Sequence, residues 1–310
     1  MKKLKIWLIA NGMSTTSNCL YCDQRLNLMM KFVSVLKLNE TLFALPFAYS
    51  GVLLAYNGLD VIELSKIIWI TLAMFGARTF GMVMNRLIDR HIDGINPRTK
   101  DRDLPSGKVK VSSVIVIALL ALFLFMFSAF KLNDLAFYLA PFAAIYMVIY
   151  SYTKRFTWGS CFWLGGVLAI APSGAWIGIN DSLGLEPVIL SLAVAFWAAS
   201  FDIIYHVQDL DFYSDKKLYS FSSKFGVNDS LKLTKILDLL AVCMLVLLGF
   251  VSSIGWVYFI GPIIVGCILF YKHRFIRYHG VDGVAVKFFR LNSFVSVSIF
   301  CSILASLLII

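Results

Sequence analysis

The stretch Asn85-Arg86-Leu87-Ile88-Asp89-Arg90-His91-Ile92-Asp93 ends an apolar run that begins near Ile67. The run predicts a membrane helix whose last turns carry Asn85, Asp89 and Asp93. Because residues four apart lie on one face of a helix, these three side chains form a ladder of oxygen ligands. Two carboxylates at this spacing repel each other unless a cation lies between them, and near hydrocarbon the repulsion costs more. The ladder therefore predicts a functional cation site.

The residues after this ladder supply positive charge. Hard oxygen ligands suit Mg²⁺, which proteins commonly hold with one or two carboxylates and the phosphates of a substrate. The basic residues that follow are Arg98, Lys100, Arg102, Lys108 and Lys110. Together the ladder and the basic segment predict a site for magnesium and a diphosphate at a membrane surface.

The composition excludes an ordinary soluble domain, since 59% of the 310 residues are hydrophobic and only 15% are charged. In a membrane protein the net charge of +10 indicates cytoplasmic loops beside anionic lipid, so we expect membrane lipid and no nucleic acid as a partner. Four of the six cysteines lie in apolar runs, where they are expected to pack. The lone pair Cys19 and Cys22 is too weak a pattern for a metal or redox site.

Nine apolar segments are each near the ~20 residues that cross a bilayer. Positive charge is concentrated in the loops after the second, fourth, sixth and eighth segments. The positive-inside rule then predicts a bacterial-type inner membrane protein with a cytoplasmic N-terminus and an external C-terminus. The predicted fold is all-α and polytopic, with nine transmembrane helices around a central cavity open to the cytoplasmic side. The segments are approximately Leu42–Tyr56, Ile67–Ile88, Val111–Phe130, Leu135–Tyr150, Cys161–Ile179, Val188–Val207, Ile236–Val251, Trp256–Phe270 and Phe288–Ile310.

Residues 1–36 are expected to form an N-terminal arm outside the membrane domain. The apolar stretch that starts at Ile6 is soon interrupted by Asn11 and Gly12, which argues against a signal peptide. The arm is either disordered or amphipathic, or it is an overextension of the start site, because Met29 and Met30 stand where the regular pattern begins. Residues 37–310 show no linker and are predicted to be one membrane domain.

A second acidic cluster follows the sixth segment. Asp202 and Asp209 are two helical turns apart, so both can face one cavity. Asp211, Asp215 and several lysines come next, which repeats the layout of the first cluster. Two acidic clusters on one membrane side can hold two Mg²⁺ ions around one diphosphate. Lys154 and Arg155, in the loop between them, are further candidate phosphate donors.

Other polar and aromatic residues near these clusters have structural interpretations. Arg78 lies on the same predicted helix face as Asn85. It is expected either to take part in the site or to be a buried structural partner of Asp89 or Asp202. The histidines that border the acidic stretches, His91 and His206, are expected to be hydrogen-bonded structural groups. The aromatic residues Tyr205, Trp158, Phe162, Trp163 and Trp176 are expected to pack or face lipid.

Several linked motifs resemble the UbiA superfamily of intramembrane prenyltransferases, particularly its 4-hydroxybenzoate polyprenyltransferase branch. The matching stretches are Asn85–Asp93, Arg98–Gly107, Tyr150–Thr157, Phe201–Asp209 and Tyr219–Gly226, and the resemblance covers nearly everything from Lys37 to the C-terminus. One position departs from it. The family's second motif usually reads D-x-x-x-D, but the residue four after Asp209 is Tyr213, so Asp211 or Asp215 is expected to replace the carboxylate, or one Mg²⁺ is held more loosely.

The resemblance implies a Mg²⁺-dependent transfer of a polyprenyl group from a polyprenyl diphosphate to an aromatic acid, 4-hydroxybenzoate, in quinone biosynthesis. The allylic diphosphate would ionise to a carbocation that the aromatic ring attacks. Asp202 would support the metal ligands or orient the acceptor, and Asp89, Asp93 and Asp209 share the catalytic role with it. The implied metal ligands are Asn85, Asp89, Asp93, Asp209 and Asp211. The implied substrate-binding residues are Asn85, Arg90, Arg98, Arg102, Lys154, Arg155 and Tyr205.

Three alternatives remain at this point. A naphthoate acceptor, used for menaquinone, fits the same motifs. A cation-coupled transporter would place its carboxylates near helix midpoints, with broken helices in matching halves. A membrane phosphotransferase for phospho-alcohols would need an Asp-Gly pair followed by Ala-Arg; Asp93-Gly94 is present, but Ala-Arg is not.

Overall fold

A computed structural model describes residues 38–57, 63–281 and 284–309, and all regular elements within these ranges are helices. The arm predicted for residues 1–36 lies outside the described residues. The helices are α1 Leu38–Tyr56, α2 Leu64–Ile95, α3 Val111–Leu132, α4 Asp134–Thr153, α5 Ser160–Asn180, α6 Leu185–Gln208, the short α7 Leu210–Asp215, α8 Phe221–Ser252, a 3₁₀ turn Trp256–Phe259, α9 Ile260–His279 and α10 Val284–Ile309.

Eight of the described helices are long and apolar enough to cross a membrane, and the described part of α1 is a shorter apolar helix. The predicted all-α, polytopic membrane fold is confirmed, while the count of nine spans stays a prediction. Helix α8 begins at Phe221, well before the apolar segment that the sequence predicts from about Ile236. Ser220 and Ser223 cap one another's backbone N–H groups, and this capping box starts a polar helical extension that kinks at Gly226.

Two hydrophobic cores hold the helices together. The larger core includes many residues of α6, among them Trp197, together with residues of α1, α5, α8, α9 and α10. The second core joins α2, α3 and α4, with Phe80 and Phe125 among its members. A cavity of about 1130 Å³ is lined mainly by α2 and α4, on one side, and by α5 and α6 on the other.

Glycines let the backbones of three helices approach closely around α5. A Cβ atom at Gly51 of α1 would lie 2.3 Å from the carbonyl oxygen of Pro172, and one at Gly165 of α5 would lie 2.5 Å from that of Ala195 in α6. Any larger residue at either position would force two helices apart. These contacts fix the wall of the cavity formed by α5.

A buried ionic cluster joins α6, α8 and α9 away from the cavity. Asp238 Oδ2 lies 2.6 Å from Lys272 Nζ and 2.6 Å from His273 Nε2. The same ammonium donates to Ser200 Oγ at 3.1 Å. Lys272 is only 2% exposed, so its charge depends on these partners.

Candidate active site

The α2 ladder lies at one end of the cavity, and Asp89 is its most buried member at 1% exposure. Asp89 Oδ2 lies 2.5 Å from Lys154 Nζ and accepts a hydrogen bond from Asn85 Nδ2 at 3.1 Å. Its second oxygen lies 3.3 Å from Arg155 Nη2, which also donates to the carbonyl of Ile88 at 2.8 Å. The carboxylate is therefore held by cations from the loop after α4.

Asp93, one turn further along α2, is held by the basic loop that follows the helix. Thr99 Oγ1 donates to Asp93 Oδ1 at 3.0 Å and to the Asp93 carbonyl at 2.9 Å. Arg102 Nη1 donates to Asp93 Oδ2 at 2.8 Å. Thr99 is not among the residues predicted for the site, although it lies beside Arg98 in one of the motifs that resemble the family. Its burial shows that it fixes the loop against the ladder.

Asp209, at the end of α6, meets the same loop from the other side. Arg98 Nε donates to Asp209 Oδ1 at 2.9 Å and Arg98 Nη2 to Oδ2 at 2.5 Å, a two-point contact that fixes geometry as well as charge. The hydrogen bond that Arg98 donates to Asp209 raises the pKa of Arg98, which keeps the guanidinium charged. Since Asp89, Asp93 and Asp209 all line the cavity, the two acidic clusters share one space.

Three residues predicted for the site are not among those that line the cavity. Arg90 is exposed and donates to His91 Nε2. Arg155 is behind Asp89, so it positions that carboxylate instead of facing the cavity. Asp211 is exposed, because two residues along a helix turn a side chain away from the direction of Asp209. Asp215 is exposed as well, so the replacement of the missing carboxylate by Asp211 or Asp215 stays a prediction.

Tyr213 occupies the place that the second motif usually gives to a carboxylate. It lines the cavity and is 8% exposed. Burial raises the pKa of Tyr213, and the negative charges of Asp202, Asp209 and Asp89 raise it further. The side chain therefore stays a neutral phenol, which can donate a hydrogen bond among three carboxylates but is a poor metal ligand.

Within the described residues, no group of three or more His, Cys, Asp or Glu side chains is arranged to hold a metal ion. The reason is that Asp89, Asp93 and Asp209 are each paired with a lysine or arginine. The donor set still suits Mg²⁺, because that ion is usually held by one or two carboxylates, with substrate phosphates and water completing its shell. An amide from Asn85 adds a further oxygen on the ladder face.

A second polar group lies on the cavity wall formed by α5 and α6. Asp202 Oδ2 and His206 Nδ1 are 3.7 Å apart, which is too long for a hydrogen bond. Both atoms are buried without a hydrogen-bond partner in the described part of the chain, and so is Ser160 Oγ. All three residues line the cavity. Buried polar atoms usually have partners, so this group is suited to a polar ligand.

The rest of the cavity is apolar and long. Lining residues extend from Ile70 to Asp93, roughly 35 Å along α2. Tyr205 also lines the cavity, whereas the predicted aromatic residues Trp158, Phe162, Trp163 and Trp176 do not. Phe142 lines the cavity and is also 70% exposed, so the cavity opens sideways near the middle of α4. The apolar wall includes Met74, Phe125, Leu139, Phe142, Val167 and Ile170.

The family model for the UbiA prenyltransferase family matches residues 44–294. The chain belongs to the UbiA prenyltransferase family. A relative from Vibrio campbellii named 4-hydroxybenzoate octaprenyltransferase is 30% identical over 272 residues, which cover 87% of this chain and 92% of the relative. A relative of the same name from Actinobacillus pleuropneumoniae is 28% identical over 274 residues, covering 88% and 90%. This membership makes the protein an integral membrane prenyltransferase.

Solved structures show the same fold. The apo structure of a UbiA homolog from Aeropyrum pernix K1 superimposes with a TM-score of 0.78 at 26% identity, covering 86% of this chain and 98% of that one. A UbiA homolog from Archaeoglobus fulgidus, bound to DMAPP and Mg²⁺, gives a TM-score of 0.68 at 18% identity, covering 90% and 100%.

Proposed function

We propose that this enzyme transfers a polyprenyl group from a polyprenyl diphosphate to the ring of 4-hydroxybenzoate, with Mg²⁺ as cofactor, in quinone biosynthesis. The observation that carries the proposal is one cavity with two different ends. Its mouth combines three carboxylates with Arg98, Arg102 and Lys154, and its interior is apolar over most of its length. A diphosphate with a long hydrocarbon tail has the same two-part chemistry.

The cationic side chains at the mouth are suited to the diphosphate. Lys154 and Arg102 line the cavity. The ammonium of Lys154 contacts Asp89, and the guanidinium of Arg102 contacts Asp93. When bound, Mg²⁺ would supply positive charge that stabilises the departing diphosphate, and Asp89, Asp93, Asp209 and Asn85 are the residues that would hold it. The arginine and lysine donors would then turn from carboxylate to phosphate oxygens, as charge-assisted bonds of similar strength.

The apolar interior protects the reaction from water. The bond between the allylic carbon and the diphosphate oxygen breaks, and the resulting carbocation would react with any water within reach. Residues such as Phe125 and Met74 provide a wall that excludes water around the tail. The side opening beside Phe142 gives a long tail a path into lipid. The aromatic ring then attacks the carbocation and loses a proton.

The proposed identity of the acceptor rests on the names of the relatives and on the polar group formed by Asp202, His206 and Ser160. The matched relatives from Vibrio campbellii and Actinobacillus pleuropneumoniae are named for 4-hydroxybenzoate. Asp202, with an unpartnered oxygen on the cavity wall, would orient the hydroxyl of such an acid. The predicted naphthoate acceptor is the alternative within the same reaction.

We also propose that the mouth of the cavity faces the cytoplasm, because the loops around it carry positive charge.

The test is an assay of the purified protein in detergent with a labelled polyprenyl diphosphate. Reactions contain either Mg²⁺ or EDTA, and either 4-hydroxybenzoate or a hydroxynaphthoate. The proposal expects a prenylated benzoate that requires Mg²⁺ and is lost in Asp89→Asn. A product formed only from the naphthoate would overturn the acceptor, and a prenylated product that forms equally in EDTA would overturn the cofactor.

A further inference from the structure

We propose that His206 is the base that removes the ring proton from the aromatic acceptor. The inference rests on the proposed function, because a ring that has been attacked by a carbocation carries one hydrogen too many at the new bond. A group on the cavity wall must accept that proton before the product is aromatic again.

The carboxylates at the mouth are unsuited to this task. Asp89 and Asp93 are each within hydrogen-bonding distance of a lysine or arginine, and Asp209 makes a two-point contact with Arg98. All three are also the proposed metal ligands. Each of these carboxylates already accepts hydrogen bonds from a cationic side chain, which leaves it fewer free lone pairs for a proton. Besides Asp202 itself, the titratable side chains on this part of the cavity wall include His206 and the phenols of Tyr150 and Tyr213, and of these only an imidazole is basic near neutral pH.

His206 has the geometry of a base that is waiting for a proton. Its Nδ1 is buried, lines the cavity and has no hydrogen-bond partner in the described residues. In neutral imidazole one ring nitrogen carries no hydrogen and accepts a proton. The ring is held against Tyr213, with centroids 5.1 Å apart, so it presents a fixed edge to the cavity. By contrast His91 is exposed and accepts a hydrogen bond from Arg90.

Asp202 completes the arrangement. Its Oδ2 is 3.7 Å from His206 Nδ1, close enough for its charge to stabilise an imidazolium but too far for a hydrogen bond that would occupy the nitrogen. The electron pair of the ring C–H bond returns to the ring, and the proton goes to the imidazole. From there it leaves through the mouth, so the step needs no further reactant.

The test uses an acceptor with deuterium at its reacting ring positions. The proposal takes ionisation as the rate-limiting step of the unsubstituted enzyme, so the deuterated acceptor should react as fast as the ordinary one. In His206→Asn proton removal should become limiting, with kcat lowered about 10²-fold and the deuterated acceptor reacting more slowly. The KM for the polyprenyl diphosphate should stay near its original value. His91→Asn is the matched control and should behave like the unsubstituted enzyme.

Several results separate the possibilities. Two measurements check that His206→Asn is folded: binding of a non-hydrolysable thio analogue of the prenyl diphosphate, and thermal unfolding in detergent. If His206→Asn is not folded, His206→Gln takes its place. Full activity without an isotope effect in a folded variant would overturn the inference alone. An isotope effect in Asp202→Asn but not in His206→Asn would assign the proton to Asp202 and also overturn it. An unsubstituted enzyme that prenylates no aromatic acid would overturn the proposed function itself.

Discussion

Arg98 and Asp209 are separated by 111 residues in the sequence and make a two-point contact at the cavity mouth, with Nε to Oδ1 at 2.9 Å and Nη2 to Oδ2 at 2.5 Å. This contact joins the basic loop after α2 to the end of α6. It is the direct link between the two acidic clusters, and it keeps Asp209 facing the same space as Asp89 and Asp93. The proposed ligand set depends on it.

Asp209→Asn should lower kcat far more than Asp215→Asn. The first change removes a charge from a residue that lines the cavity, and groups that stabilise developing charge are worth about 10²–10³ in kcat. Asp215 is exposed at the end of α7, so its loss should change kcat by less than about twofold. Both variants are assayed with a labelled polyprenyl diphosphate. Equal small losses would show that Asp209 is not part of the metal site.

Lys154 and Arg155 should differ although they are neighbours. Lys154 lines the cavity, so Lys154→Met should raise the KM for the diphosphate by about tenfold, as expected for a charged hydrogen bond. Arg155 contacts Ile88 and Asp89, so Arg155→Met should mainly lower kcat through misplacement of Asp89. The exposed Arg90 provides the control, and Arg90→Met should leave both constants unchanged. A large KM effect in Arg90→Met would restore its predicted role at the diphosphate.

The close contact of α1 with α5 gives a prediction for stability. Gly51→Ala would place a Cβ 2.3 Å from the Pro172 carbonyl oxygen, and relief of such overpacking costs about 1–3 kcal/mol. Gly266→Ala is the matched control, because a Cβ there meets nothing within 4 Å. Thermal unfolding in detergent should show a lower transition temperature for the first variant only. The same transition temperature in both would mean that the two helices are free to separate.

The buried cluster of Asp238, Lys272 and His273 should tolerate a double change better than a single one. Lys272→Met leaves a buried carboxylate with one fewer partner, and breaking a buried pair costs about 3–5 kcal/mol. Replacing Asp238 with leucine as well removes the unpaired charge and should recover part of the loss. Lys232→Met, which removes an exposed pair with Asp229, is the control and should change little. A double variant less stable than the single one would contradict this account.

The ladder on α2 was predictable from the sequence, because the spacing of Asn85, Asp89 and Asp93 is local and a helix dictates which residues share a face. The basic partners of the carboxylates could not be predicted in the same way, because the contacts of Arg98 and Lys154 depend on how distant segments pack. The choice between Asp211 and Tyr213 depended on where α6 ends and α7 begins. That break at Asp209 leaves no clear signal in the sequence. Its consequence is that a phenol faces the cavity where a carboxylate was expected.

The start of α8 shows another limit. Polar residues from Phe221 to Lys235 were read as a loop because apolar periodicity was weak there, yet the serine capping box starts a helix. Short local hydrogen bonds between Ser220 and Ser223 decide this boundary. Similarly, His206 looked like an ordinary structural histidine, because the sequence does not show whether a nearby donor reaches its ring.

The pairing of Lys154 with Asp89, and of Arg102 with Asp93, gives the cavity mouth equal and opposite charges that neutralise one another. A divalent ion that arrives alone meets carboxylates already neutralised, and a diphosphate that arrives alone must take cations from carboxylates that would then repel each other. When both arrive, each removes the obstacle to the other, so their affinities are linked and reciprocal. In the proposed site, a metal ion and a diphosphate would therefore bind together more readily than either would alone.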